Sequence, residues 1–282
     1  VRENAHQPIG KAHHCAVVWL APSGEFIQHA RGADVAAGAR GFNQEFGERG
    51  DVAQAQVESL AGDRVDGVGG VADQGEARAH VFYLVGVTYF NREQYETAAK
   101  MFGQVVKTPD TALQVEAALK SADCQYNLGN YARAYKTYES IGETHVNTRY
   151  GDEAIYAMGL CKIKLGQEDE AIEHFENFLK KSPGSSMTQN VALETAKLYF
   201  RKGLPDQAVE KIEFIESAKA TPFKQEASRL RVKIAEKKND PDEIYRETMR
   251  HTKLYGPEGD VVLVAVQASV AAGKYEETVK AL

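Results

Sequence analysis

Few residues in this chain are of the types, at the spacings, that perform chemistry. His13, His14 and Cys15 are zinc-ligand types, yet they are adjacent and have no second cluster at zinc spacing. The run Gly67-Val68-Gly69-Gly70-Val71-Ala72 imitates a dinucleotide-binding loop but follows no strand and sits in no βαβ frame. No Gly-x-Ser-x-Gly, P-loop lysine or His-Glu-x-x-His is present. Cys124 and Cys161 recur at one mark of a repeat described below, and read as small core hydrophobes rather than reactive thiols. His174 and His251 have no sequence partner and read as surface or core residues. The chain is therefore expected to be non-catalytic, with no metal and no cofactor.

Composition narrows the remaining classes. The 282 residues are 43% hydrophobic and 26% charged, a globular balance. A net charge of -6 argues against nucleic-acid binding or a polybasic membrane attachment. No apolar run approaches the roughly 18 residues that a membrane span needs. His13, His14 and Cys15 interrupt what a signal peptide would require as its apolar stretch, so the compartment, bacterial envelope or cytoplasm, is left open. Three cysteines imply no disulfide framework.

The composition breaks near residue 78. Residues 1–78 hold half of the 24 glycines, two leucines (Leu20, Leu60) and one lysine (Lys11). A core needs leucine-like volume, so this segment has little to pack with. It reads as a Gly-rich, irregular arm, with 50–60 as a candidate isolated helix and 66–71 as loop. Both a native flexible arm and translation in a wrong frame fit such a composition.

Residues 79–282 repeat. Small residues recur twelve apart, as Gly86/Ala98, Ala122/Ala134, Gly159/Ala171 and Ala196/Ala208, with weaker echoes at Val232/Ile244 and Val266/Thr278. A turn signal lies within each pair: Gln94-Tyr95, Gly129-Asn130-Tyr131, Gly166-Gln167, Gly203-Leu204-Pro205, Asn239-Asp240-Pro241 and Gly273-Lys274-Tyr275. Four residues past each of the first four alanines stand Phe102, Tyr138, Phe175 and Ile212; three further on stand Val105, Ile141, Phe178 and Ile215. The spacing predicts antiparallel helices that approach closely at the small residues. The large residues share one face and are expected to fill the gap to the next pair. Ser182-Pro183-Gly184-Ser185 and Thr221-Pro222 are expected helix stops. Such pairs cannot bury their apolar stripes alone and must stack.

This pattern resembles the tetratricopeptide repeat family, most closely from Asp152 through Gly159, Gly166 and Ala171 to Phe175 and Pro183. A weaker likeness is to bacterial envelope proteins of the Tol–Pal-associated and outer-membrane-assembly type. The resemblance implies an all-α, right-handed superhelical solenoid of about six helix pairs after an irregular N-terminal arm. It also implies binding of a protein or peptide on the concave face, lined by the first helix of each pair.

By position, that face takes Tyr83, Val87, Phe90 and Asn91 from the first unit, and Leu119, Asp123, Tyr126 and Asn127 from the second. Tyr156, Leu160 and Lys164 come from the third, Lys197, Phe200 and Arg201 from the fourth, and Arg229, Lys233 and Lys237 from the fifth. The first half is aromatic and apolar, the second basic. Some family members grip a C-terminal carboxylate with Lys and Asn; Tyr83 and Val87 stand where that clamp begins and cannot supply its charge-assisted bonds. A non-catalytic scaffold is expected, the alternative being an accessory domain of a longer enzyme or signalling protein. The sixth unit breaks off four residues after Thr278, so further repeats are expected to follow, and an uncapped end is expected to fray or self-associate.

Overall fold

Six turns divide the repeating part of the chain, and each is set by one left-handed residue at a fixed mark. Gly129, Gly166, Gly203, Asn239 and Gly273 all take positive φ, between 58 and 79°. In the first pair the same duty falls on Glu93, at φ 60°, a region that costs a side-chain-bearing residue energy. Each reverses the chain between the two helices of a pair.

The computed structural model describes residues 71–108 and 112–281. Among them it contains twelve helices in six pairs. These are α1 (Val71–Asn91) with α2 (Tyr95–Lys107), α3 (Gln114–Asn127) with α4 (Tyr131–Thr144), and α5 (Arg149–Lys164) with α6 (Glu168–Lys181). They continue as α7 (Thr188–Arg201) with α8 (Pro205–Ser217), α9 (Lys224–Lys238) with α10 (Pro241–Tyr255), and α11 (Gly259–Ala271) with α12 (Tyr275–Ala281). No strand occurs among the described residues. The principal helix contacts run between successive helices, and between first helices of neighbouring pairs such as α3 with α5 and α7 with α9. That is the nearest-neighbour stacking of a solenoid.

Local signals place the ends. Pro205 and Pro241 open α8 and α10, where proline's missing N–H costs nothing. The Asp240 carboxylate accepts from the Asp242 and Glu243 amides, and the Thr148 hydroxyl from Gly151 N–H, capping α10 and α5. α6 stops at Lys181, directly before Ser182-Pro183. Helix α1 begins at Val71, ahead of the compositional break at 78, so Val71 opens a helix rather than closing a loop. The His13-His14-Cys15 cluster, Gly67–Gly70 and the 50–60 stretch lie outside the described residues.

Packing adds a second contact to the expected one. Phe102, Tyr138, Phe175 and Ile212 are fully buried, and the first and third also pack inside their own pair. A Cβ on Gly86 would stand 2.7 Å from the Phe102 ring, and one on Gly159 2.0 Å from that of Phe175. Each ring lies on the small residue of its own pair, because the antiparallel hairpin brings that mark opposite. Ile141 and Gly142 do face the following pair. Ile141 shares a core with Ala154 and Cys161 of α5, and a Cβ on Gly142 would meet Ile155.

The weak echoes resolve differently. The fifth pair keeps the register, with Val232 buried and Thr248 and His251 fully buried at the two large-residue marks. In the sixth, Val266 is 41% exposed; the residue at the mark that covers it in other pairs is Leu282, outside the described residues.

Candidate partner-binding face

The first helices α1, α3, α5, α7 and α9 carry the expected site residues in four columns, counted from each small residue. Three before it stand Tyr83, Leu119, Tyr156 and Arg229; one after it, Val87, Asp123, Leu160, Lys197 and Lys233. Four after it come Phe90, Tyr126 and Phe200, and five after it Asn91, Asn127, Lys164, Arg201 and Lys237.

The column four residues on turns inward. Phe90 is buried and meets Tyr95 edge-on at 5.3 Å, and Tyr126 meets Tyr131 likewise at 5.2 Å. Each ring folds over the first residue of its partner helix, one turn before the left-handed residue. Phe200 packs against the core between the fourth and fifth pairs, and the Lys237 ammonium sits 5.0 Å from its ring centre. Phe90 is therefore core rather than lining. Leu160 and Leu119 are buried as well, which removes them from an accessible face.

Asp123 serves its own pair. One oxygen accepts from the buried Tyr138 hydroxyl at 2.7 Å, the other from Lys120 at 3.2 Å. Tyr156 stacks on Phe175 with centroids 6.1 Å apart, and burial pushes its phenol well up. The Tyr83 hydroxyl donates to Glu116 of the next first helix at 2.6 Å.

The expected basic half is largely neutralised. Lys197 lies between Glu194 at 2.9 Å and Glu226 at 2.7 Å. Burial alone would lower its ammonium pKa, but the two carboxylates outweigh that and hold it above the usual value. Arg201 pairs with Glu168 at 2.9 Å, Arg229 pairs with Glu258 and, at 3.5 Å, with Asp260, and Lys237 donates to the Phe200 carbonyl. Lys164 and Lys233 are exposed and form no ion pair among the described residues.

The two histidines do have partners, contrary to expectation. His174 donates from Nε2 to the Ile155 carbonyl at 2.7 Å, and burial lowers its pKa. His251 is fully buried, with Nδ1 3.0 Å from Ser228 Oγ and Nε2 3.3 Å from Glu258. Burial pushes the Cys124 and Cys161 thiols up to about 12, away from the nucleophilic thiolate form.

Comparison with known proteins adds to this geometry. Residues 91–178 match the family model described as anaphase-promoting complex, cyclosome, subunit 3. No curated protein matches the sequence. Among solved structures, a tetratricopeptide repeat protein from Parabacteroides merdae superposes with a TM-score of 0.53 at 13% identity, covering 72% of this chain and 77% of its own. PilF of Pseudomonas aeruginosa does so with 0.52 at 14% identity, over 82% and 94%. A signal-transduction ATPase from Pyrococcus horikoshii that carries a tetratricopeptide repeat sensor does so with 0.56 at 14% identity, over 74% of this chain and 36% of its own. The fold is a tetratricopeptide-repeat solenoid.

In this tetratricopeptide solenoid the residues that sequence reasoning missed are acids. Glu116, Glu153, Glu226 and Asp260 stand six before the small mark of their units. Three of them bond back to the preceding first helix, through Tyr83, Lys197 and Arg229. An acid recurring at one repeat period was the available signal. The tetratricopeptide fold is commonly a protein-interaction scaffold, and among the described residues no helix is long and apolar enough to cross a membrane.

Proposed function

We propose that the chain is a non-catalytic scaffold that binds an extended peptide of a protein partner along its first helices. The observation that carries this is the column Asn91, Asn127, Lys164, Arg201 and Lys237, one polar side chain in each of the first five pairs at the same mark. Packed helices lie about 8–10 Å apart, and an extended strand advances about 3.3 Å per residue. A peptide crossing them thus meets one rung roughly every third residue. Asn91 and Asn127 offer amides suited to a peptide backbone. Lys164, Arg201 and the exposed Lys233 favour acidic side chains at the other end. Tyr83, Val87, Tyr126 and Tyr156 belong to the same proposed face.

A photo-cross-linking residue at position 91, 164 or 233 of the full chain tests this against one at the exposed Phe214 of α8. The expected result is one partner captured from the first-helix positions, released by Arg201→Glu with Lys233→Glu. Capture from position 214 alone would place the function on the other face.

The ATPase whose repeats form a sensor favours a second reading, in which such a solenoid is one part of a longer signalling protein. A partner captured with nucleotide-dependent affinity would support that reading over a free-standing scaffold.

A further inference from the structure

Glu116, Glu153, Asn190, Glu226 and Asp260 occupy one mark, six before the small residue of the second to sixth pairs. Among these five only Asn190 is not an acid. Glu116, Glu226 and Asp260 reach back to Tyr83, Lys197 and Arg229 of the preceding first helix, and Glu153 pairs with Arg149 of its own. By the same register Asn190 stands against α5, where Tyr156 holds the place of Tyr83. It is only 5% exposed, yet its Oδ1 accepts from no group among the described residues. Buried polar atoms are nearly always paired, so this acceptor calls for a donor that the chain does not itself supply.

Glu194 lies one turn further along the same face of α7 and is as deeply buried. Its carboxylate and that of Glu226 share the single ammonium of Lys197, at 2.9 and 2.7 Å. Two negative charges thus meet one positive. Burial first, and then neighbouring charges that include Glu194, pushes the Tyr126 and Tyr156 phenols up. Both therefore stay neutral at pH 7 and compensate nothing. This stretch of the groove, inside the solenoid between its third and fourth pairs, lacks a donor and a positive charge. The basic residues lie elsewhere across its width. Lys233 stands one past its small residue and Arg201 five past, so they are offset from the Asn190 mark by about 10 and 16 Å along the helix axis.

We propose that the groove between α5 and α7 takes a cationic side chain of the partner peptide, an arginine or a lysine, held by Glu194 and the Asn190 Oδ1. The proposal rests on the peptide-binding reading above and gives that peptide its chemistry. Guanidinium and ammonium groups bring donors only, which suits a place whose unmet capacity is all acceptor. Their bonds to a carboxylate are charge-assisted. Acidic side chains of the same peptide face Arg201 and Lys233, so the peptide carries both signs, on opposite sides of the groove.

A phage-displayed library of random dodecapeptides, selected on the full 282-residue chain, tests this, with fluorescence anisotropy on the enriched sequence as a synthetic peptide. Enriched peptides should carry an arginine or lysine beside their acidic residues, and exchanging one for the other tells which fits better. Replacing it by alanine should weaken binding by about tenfold or more, the size of one charge-assisted hydrogen bond. Glu194→Gln should weaken binding as much and should make that alanine replacement silent, because a double-mutant cycle isolates the contact. Asn190→Asp installs the acid that the other pairs carry at this mark. It should tighten the basic peptide and leave the alanine version unchanged, and it carries the test if Glu194→Gln does not fold. Enriched peptides without a basic residue, or with one indifferent to both variants, overturn the cation site. Arg201→Glu with Lys233→Glu separates the two readings. Peptides that this double variant releases but that hold no basic residue keep the groove and sink the cation. Basic peptides that answer to Glu194 and survive it keep the cation and sink the acidic half of the groove. A selection that enriches nothing overturns both.

Discussion

Gly159 of α5 lies directly under the ring of Phe175 in α6: a methyl group on its Cα would come 2.0 Å from Cε1 and 2.3 Å from Cζ. The ring is fully buried and also stacks on Tyr156, so it has nowhere to withdraw. Gly159→Ala should therefore destabilise by about 1–3 kcal/mol through overpacking, although alanine is the better helix former. Phe175→Ala should cost about 3–5 kcal/mol. Urea melts check both, and an additive double mutant would show that the two sites do not touch.

Glu93 performs at φ 60° the reversal that glycine performs at four of the other five turns. Its side chain is exposed, so little is lost with it. Glu93→Gly should stabilise by about 0.5–1 kcal/mol, the relief of left-handed strain exceeding glycine's extra chain entropy. A rise in melting midpoint is the expected reading. A fall would mean that Glu93 makes a contact worth more than its strain.

Asp123 was expected to meet a partner, but its carboxylate holds the buried Tyr138 hydroxyl. Asp123→Ala should cost about 1–3 kcal/mol by stranding that hydroxyl. Tyr138→Phe in the same background should recover part of the loss. If Asp123→Ala left stability unchanged while abolishing peptide binding, the residue would be a recognition group instead.

Glu258 fastens the last pair. Burial alone would raise its pKa, but hydrogen bonds from Gln225 and Arg229, with the charge of Arg229, outweigh that and hold it below the usual carboxylate value. A carboxyl lowered in the folded state adds stability that is fully present above its unfolded pKa and is lost as pH falls through the folded one. Glu258→Gln should therefore melt earlier than wild type at pH 7. The gap should close as pH drops below about 4, and a gap independent of pH would contradict this.

The period of the repeat, the pairing and five of the six turn marks were legible, because small residues and left-handed turns leave fixed residue types at fixed spacings; the first turn was read at Gln94-Tyr95, whereas its left-handed residue is Glu93. Which large side chain meets which neighbour was not. Phe175 pairs with Gly159 only because the hairpin sets their marks opposite each other, a relation between residues sixteen apart that no single-helix period shows. The site columns were legible as positions but not as surfaces. Phe90 and Tyr126 turned inward onto Tyr95 and Tyr131, and Lys197, Arg201 and Arg229 were matched by acids arriving from other elements. His251 was passed over because its partners, Ser228 and Glu258, sit on two other elements.

The fifth pair fills its two large-residue marks with Thr248 and His251, where earlier pairs place rings and branched aliphatics. Under tension this makes a difference that equilibrium melting does not display. Apolar surfaces yield gradually as they are drawn apart, whereas hydrogen bonds and ion pairs let go within an ångström or so of stretch. Pulled from its ends, the solenoid should part first where Glu258 meets Arg229 and His251, releasing α11 and α12 as one short step before the inner pairs give way. An optical-trap trace whose first rip is longer than one helix pair would locate the weakest seam elsewhere.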